Sequence, residues 1–379
     1  MADVHIVVAP DAFSGTLTAR QAAAAIATGW RAQAPADVVE TCPLSDGGPG
    51  FVDALHSTLG GELLSVTVPG PLGDDAPATV LRHEDVAYVE TAQACGLHLL
   101  PPERRDPTRT TTAGVGRLLT AAVDSGARRV VLGLGGSATV DGGAGLLAAL
   151  GAGDPTILGR GGGLLAELPD DALPGLADVR ERFAGVELVA ATDVDVPLVG
   201  FHGAAAAHAE RQGATPEQAQ QLGTALGRFA QVALDTLGPD VAPQRLVAEP
   251  GAGAAGGLGF ALLLLGARRE PGAQAVLDAV GFRERLAAAD LVVTGEGTLD
   301  WQSLRGTVVA GVAHAALAVG VPAVALAGQV HAGRRELQSV GLESAYAVAE
   351  RPDQVPAALA DPAGTLAARA RRVARTWSH

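Results

Sequence analysis

Arg129-Val-Val-Leu-Gly-Leu134 runs through Gly135-Gly-Ser-Ala-Thr-Val-Asp-Gly-Gly143 into Gly145-Leu-Leu-Ala-Ala-Leu150. A short β-branched run, a glycine loop and an Ala/Leu stretch of helical period read as strand, turn and helix, one βα unit. The same texture recurs outward from it. His5-Ile-Val-Val-Ala9 precedes an alanine-rich helical stretch over residues 18–29, and Asp290-Leu-Val-Val-Thr294 and Val321-Pro-Ala-Val-Ala-Leu326 each precede further helical sequence. Repeated βα units predict an α/β fold around a largely parallel sheet. No internal repeat of fixed period is present.

Between residues 63 and 90 the pattern changes. Ser65-Val-Thr-Val68 and Ala78-Thr-Val-Leu81 flank the turn-rich Pro69-Gly-Pro-Leu-Gly-Asp-Asp75, and Val86-Ala-Tyr-Val-Glu90 follows at hairpin distance. These runs predict antiparallel pairing and the start of a second domain. Residues 151–174, rich in Gly, Pro and Asp, read as a long loop or insertion.

The chain of 379 residues is long enough to bury its own core, so neither disulfides nor a structural metal are needed. A formal net charge of -14 argues against nucleic acid, whose binding rests on neutralised phosphates. The longest purely apolar run, Phe260-Ala-Leu-Leu-Leu-Leu265, is far short of a membrane span, and residues 1–10 read as a first strand rather than a leader. A cytoplasmic protein is expected. Arg369, Arg371, Arg372 and Arg375 are expected on a solvated terminal helix, and Cys42 and Cys95 as half-buried thiols. No pair among the nine histidines has the i, i+4 spacing of a helical zinc site, and no lysine occurs: all 27 basic residues are arginine.

Five loops share one design, an apolar strand followed by glycines and a carboxylate: Ala9-Pro-Asp11, Ser45-Asp-Gly-Gly48, Gly135–Gly143 with Asp141, Ala191-Thr-Asp193, and Thr294-Gly-Glu-Gly297 with Asp300. Parallel sheets bind ligands at such strand ends, and glycines there allow close backbone approach. Carboxylates among anion-binding loops are self-defeating unless a divalent cation or a substrate hydroxyl lies between. Phosphoryl transfer has that need. One such loop alone is ordinary turn chemistry. A P-loop is impossible without lysine, no Gly-x-Ser-x-Gly elbow appears, and Gly253-Ala-Ala-Gly-Gly-Leu-Gly259 reads equally as a glycine hinge or a ligand loop.

At these loops the chain resembles the bacterial class I glycerate kinases. The resemblance rests on Ala9-Pro-Asp11, Asp46-Gly-Gly48, Gly70-Pro-Leu-Gly73, Pro101-Pro102 with Arg105-Asp-Pro107, Gly114-x-Gly116, Gly135-Gly-Ser-Ala-Thr139 with Asp141-Gly-Gly-Ala-Gly145, Asp193, Gly256-Gly-x-Gly259, and Thr294-Gly-Glu-Gly297 with Asp300 and Gln302. It implies two α/β domains, one Rossmann-like and built from both chain ends (1–62 plus 250–379), the other (63–249) with mixed or antiparallel strands, and a cleft between them. It further implies ATP and Mg²⁺ as cofactors and a small hydroxy acid as substrate. Asp11 and Asp193 would be hydroxyl-orienting or metal-side carboxylates. Gly135, Gly136, Ser137 and Asp141 would form an anion-binding loop, with Asp46, Gly47, Gly48, Glu296 and Asp300 at the cleft. The metal ligands, and whether the protein is a homodimer, stay open.

The chain departs from the family where the family carries cations. Ser14 and Gln212 replace lysines, Thr298 an arginine, and Gly306-Thr307 a Gly-Lys; Pro49 and Val140 stand where an acidic residue and an asparagine are usual. An arginine finger alone is worth about 10³–10⁵ in rate. Two readings follow: a working kinase in which Arg211 or Arg305 reaches in, with Arg305 expected to point at the cleft, or a silenced paralogue that binds a metabolite or partner. An enzyme of altered chemistry is a third.

Overall fold

The computed structural model describes residues 4–13 and 15–378, which leaves Ser14 outside the described residues. The described strands are β1 His5–Pro10, β2 Val38–Thr41, β3 Glu62–Pro69, β4 Asp75–His83, β5 Val86–Glu90, β6 Arg129–Gly133, β7 Glu187–Ala191, β8 Arg268–Glu270, β9 Leu291–Leu299, β10 Ala323–Val330 and β11 Leu342–Ala347. They form two compact units. One comprises the described residues up to Asp46, Asp53–Gly60 and those from Pro271 onward; the other comprises Gly47–Val52 and Gly61–Glu270.

The first unit is a parallel sheet in the order β11-β10-β9-β1-β2. Ile6, Val7, Val8 and Ala9 are all fully buried, which explains why β1 is a continuous apolar run: both faces of a parallel sheet are covered. The crossover helix Ala19–Gln33 starts with a capping box in which Thr18 Oγ1 accepts from the Gln21 amide at 3.2 Å and Gln21 Oε1 from the Thr18 amide at 3.0 Å. It packs against the terminal helix Pro362–Trp377 through Ala22, Ile26 and Trp30 facing Leu366, Ala370 and Val373. Gly29 lies mid-helix because a Cβ there would sit 2.0 Å from the Ala367 carbonyl oxygen. From β1 the chain moves outward to β2, and from β9 it moves the other way to β10 and β11. Strand order therefore reverses between β1 and β9, the arrangement at which open α/β sheets bind ligands.

The second unit has the order β3-β4-β5-β6-β7-β8, antiparallel at β3/β4 and β4/β5 and parallel from β5 to β8. The expected hairpin is present, its turn closed by the Gly70 amide on the Asp74 carbonyl at 2.7 Å. Phe229 and Phe260 meet edge to face, with centroids 6.1 Å apart, inside a core that includes Leu118, Leu132 and Leu147.

Three details differ from expectation. Residues 47–52, 61–62 and 250–270 belong to the second unit, the last because β8 pairs with β7 and the helix Ala254–Leu264 is apolar all round and buried there. Residues 151–174 contain the helix Pro155–Leu158 and the 3₁₀ turn Gly162–Glu167 rather than a plain loop. Cys42 and Cys95 are fully buried, not half-buried, and burial pushes their thiols up to about 11 and about 12. No described helix is long and apolar enough to cross a membrane.

Candidate active site

At the reversal point of the first sheet, Pro10 is paired with Gly295, and the Asp11 amide donates to the Gly295 carbonyl at 2.8 Å. Asp11 thus leaves β1 beside Glu296 on β9. Gly295 is required, since a Cβ would lie 1.9 Å from the Leu326 carbonyl oxygen of β10. After β2 the Cys42 and Leu44 amides continue the ladder onto the Val8 and Pro10 carbonyls, carrying the chain alongside β1 toward Asp46.

Burial is the main cause that pushes the Glu296 carboxyl from its ordinary 4.5 up to about 7; the Ser303 hydroxyl opposes this, and the charges of Asp300 and Asp46 add to it. Its Oε1 is buried with no hydrogen-bond partner among the described residues. Asp300 Oδ1 accepts from the Gln302 and Ser303 amides at 2.7 and 3.2 Å, closing the loop beyond β9. Thr307 closes its far end by donating to the Ser303 carbonyl. Arg305 is exposed, with its guanidinium 5.3 Å from the centroid of Trp301, itself 56% exposed.

In the second unit, residues 47–48 run against residues 133–136 at backbone contact. A Cβ on Gly135 would lie 2.5 Å from Gly48 Cα, and one on Gly133 2.5 Å from the Gly47 carbonyl oxygen. Gly47 and Gly136 also have φ of +96° and +69°. Close approach therefore already accounts for these glycines. Across the loop, a Cβ on Gly256 would sit 1.7 Å from the Thr139 carbonyl oxygen, so the 253–259 segment serves as a packing hinge, with Ala255, Gly256 and Gly257 all at positive φ.

Asp141 is turned inward with no exposure. It accepts from the Thr112 amide and hydroxyl, both at 2.8 Å, and from the Gly143 and Gly145 amides at 3.0 and 3.2 Å. Those last two amides are the donors an anion would need at the start of the helix Ala144–Leu150, and the carboxylate uses them itself. Burial nevertheless raises the Asp141 pKa, against the lowering effect of these hydrogen bonds. Ser137 is buried as well: its hydroxyl lies 2.7 Å from that of Thr139, and its carbonyl accepts from Gln212 Nε2 at 2.8 Å. The same Nε2 reaches the Thr139 carbonyl at 3.2 Å. Gln212, at one of the family's lysine positions, is thus a buried clamp on the loop. Asp193 follows β7 by two residues and is half-buried at the carboxyl end of that strand.

The first unit accordingly collects Asp11, Asp46, Glu296 and Asp300, and the second holds Gly47, Gly48, Gly135, Gly136, Ser137, Asp141 and Asp193. No three His, Cys, Asp or Glu among the described residues make a ready metal cage. Mg²⁺ does not need one, because it keeps waters and is held by one or two carboxylates plus phosphate oxygens. An unpartnered buried Glu296 oxygen within electrostatic reach of Asp46 and Asp300 fits that role.

Comparison with known proteins is consistent over the whole length. The profile of the Glycerate kinase family matches residues 6–378. The glycerate kinase of Halalkalibacterium halodurans is 41% identical over 378 residues, covering 97% of each chain. The glycerate 2-kinase of Escherichia coli is 37% identical over 91% of this chain and 90% of its own. A crystal structure assigned as glycerate kinase 2 of Salmonella typhimurium superposes with a TM-score of 0.80 at 36% identity, covering 99% of this chain and 98% of the other. With a full-length profile match and relatives near 40% identity, the chain belongs to the glycerate kinase family.

Proposed function

We propose that the chain phosphorylates glycerate, or a similar small hydroxy acid, using ATP and Mg²⁺. The observation that carries this reading is the carboxylate set at the β1/β9 reversal, with its one buried, unpartnered oxygen on Glu296. Asp46, Glu296 and Asp300 would hold Mg²⁺, which would supply positive charge to offset that of the phosphate oxygens. Asp11, just past the end of β1, orients the acceptor hydroxyl and takes its proton as the oxygen bonds to the γ-phosphorus and the bond to ADP breaks, and Asp193, just past the end of β7 in the second unit, is the alternative base. Asp46, Glu296 and Asp300 form the metal side. Glu296 is able to serve there because a cation replaces the proton that burial otherwise favours.

The second reading, a silenced paralogue, draws on the altered cationic positions. Gln212 weakens it. Its Nε2 donates to the Ser137 and Thr139 carbonyls while its Oε1 is buried without a partner, and an ammonium can make the same two contacts, so that position need not mark a lost phosphate ligand. Arg305, on Trp301, gives neither reading decisive support. A coupled assay with ATP, Mg²⁺ and D-glycerate separates the two. The kinase reading expects turnover that falls about 10²-fold or more in Asp11→Asn, whereas turnover no higher than that of heat-killed protein would leave the silenced paralogue.

A further inference from the structure

One cavity of about 600 Å³ lies wholly within the second unit and is lined by none of the candidate site residues. Its walls come from the β3–β4 turn, the segment around Thr108 and Arg109, the stretch around Arg160, and the first turns of the helix Pro216–Leu237. No aspartate or glutamate lines it. Arg109 and Arg160 do, and neither guanidinium has a salt-bridge or hydrogen-bond partner among the described residues. Both are exposed and line the cavity without a carboxylate, whereas nearby Arg104 pairs with Asp74 at 2.9 Å and Arg228 with Asp170 at 2.7 Å.

The remaining polar groups add donors rather than charge of the opposite sign. Gln218 accepts the Thr215 amide through Oε1 at 2.9 Å, which leaves its Nε2 for other acceptors, and Gln221 lines the same wall one turn later. Both belong to the N-terminal end of a 22-residue helix, where the peptide dipoles favour negative charge. The arginines also stand on fixed backbone. A Cβ on Gly161 would lie 2.4 Å from the Arg109 carbonyl carbon, one on Gly162 would lie 2.0 Å from the Val140 carbonyl oxygen, and the Gly163 amide donates to Thr108 at 2.8 Å. Arg160-Gly-Gly-Gly163 is thereby pressed between Thr108-Arg109 and the residue that precedes Asp141.

We infer that this cavity is a binding site for a small phosphate-bearing anion. Two guanidiniums can each grip a pair of phosphate oxygens, the amides offer further donors, and a cavity of this volume takes a small organic molecule as readily as a single ion. Held backbones reduce the ordering cost on binding. Because its seat abuts Val140, an occupied site would stiffen the 134–143 loop from behind.

Isothermal titration calorimetry on the full chain tests this, with EDTA present and nucleotide absent so that the Glu296 carboxylate set has no cation through which to hold an anion. The titrants are inorganic phosphate and phosphoglycolate. Binding is expected, with Kd raised about tenfold or more in Arg109→Ala/Arg160→Ala, the range for lost hydrogen bonds between charged groups, and unchanged in Arg371→Ala, on the exposed face of the terminal helix. Tighter binding of phosphoglycolate would identify an organic ligand, and equal binding free phosphate; either supports the site. Absence of binding, or an affinity the double variant leaves unaltered, overturns it. Arg109→Gln/Arg160→Gln, which keeps side-chain bulk, replaces the alanine variant if that variant fails to melt cooperatively.

Discussion

Replacing Glu296 by glutamine should stabilise the first unit at alkaline pH and do nothing at acid pH. The folded chain holds the Glu296 proton up to about 7, against 4.5 for an ordinary glutamate. Between those values the native state binds more protons than the unfolded one, so wild-type stability falls as pH rises through the window and is level above it. At about 1.4 kcal/mol per pH unit the loss amounts to about 3 kcal/mol. Glu296→Gln removes that dependence, so its advantage over wild type grows from near zero at pH 4.5 to about 3 kcal/mol at pH 8. The tryptophans make the measurement selective: Trp30, Trp301 and Trp377 all belong to the first unit, so urea unfolding followed by tryptophan fluorescence reports on it alone. Mg²⁺ supplies a second axis, since it competes with the proton. At roughly ten times its Kd it should raise wild-type stability at pH 8 by about 1.4 kcal/mol and raise that of the variant, which keeps only Asp46 and Asp300, by less. A variant advantage that is the same at pH 5 and pH 8 would refute the argument, whatever its size.

Gly256→Ala, whose Cβ would collide with the Thr139 carbonyl at 1.7 Å, should cost at least about 3 kcal/mol; Gly227→Ala, mid-helix with nothing within 4 Å, should gain about 0.5–1 kcal/mol. Thermal melts compare the two, and equal effects would contradict the packing account. Gln212→Leu leaves the Ser137 and Thr139 carbonyls without their donor and should destabilise by about 1–3 kcal/mol. Gln212→Lys should cost less in the same denaturant titration; the reverse order would show that the position needs a neutral amide. A thiol-reactive dye at pH 8 should leave Cys42 and Cys95 untouched in the native protein and label both in guanidinium, because burial raises both thiols well above that pH.

The parts of the fold legible in the sequence were those written locally. The apolar run at residues 5–9 became β1, and the alanine-rich stretch after it became a helix whose cap, Thr18 with Gln21, carries a recognisable spacing. The hairpin announced itself through Gly70 and Gly73. What stayed hidden depends on partners distant in the chain. β8, Arg268–Glu270, has three charged residues and no apolar one, so nothing local marks it as a strand; only its pairing with β7 does, and that pairing draws residues 250–270 into the second unit. Asp141 resembles a ligand carboxylate in sequence because nothing nearby reveals Thr112, 29 residues back, as its partner. Gln212 was conspicuous only as a missing lysine, and its role emerged from two carbonyls more than 70 residues away. The Asp11–Glu296 neighbourhood was legible as two strand ends, but not the burial that leaves one oxygen unpartnered.

The pairing of Ile6 with Leu291 has a consequence for biosynthesis. When β1 and β2 leave the ribosome, the strand that must lie on the other side of β1 is still some 250 residues from being made, roughly 12–50 s at ordinary translation rates. The second unit, nearly continuous in the chain, is complete before β9 appears. The nascent β1 edge, with the fully apolar Ile6-Val-Val-Ala9, waits unpaired throughout that interval. Expression yield should therefore respond to translation speed over residues 42–290, and the chain should need chaperone protection during synthesis although its finished core requires none.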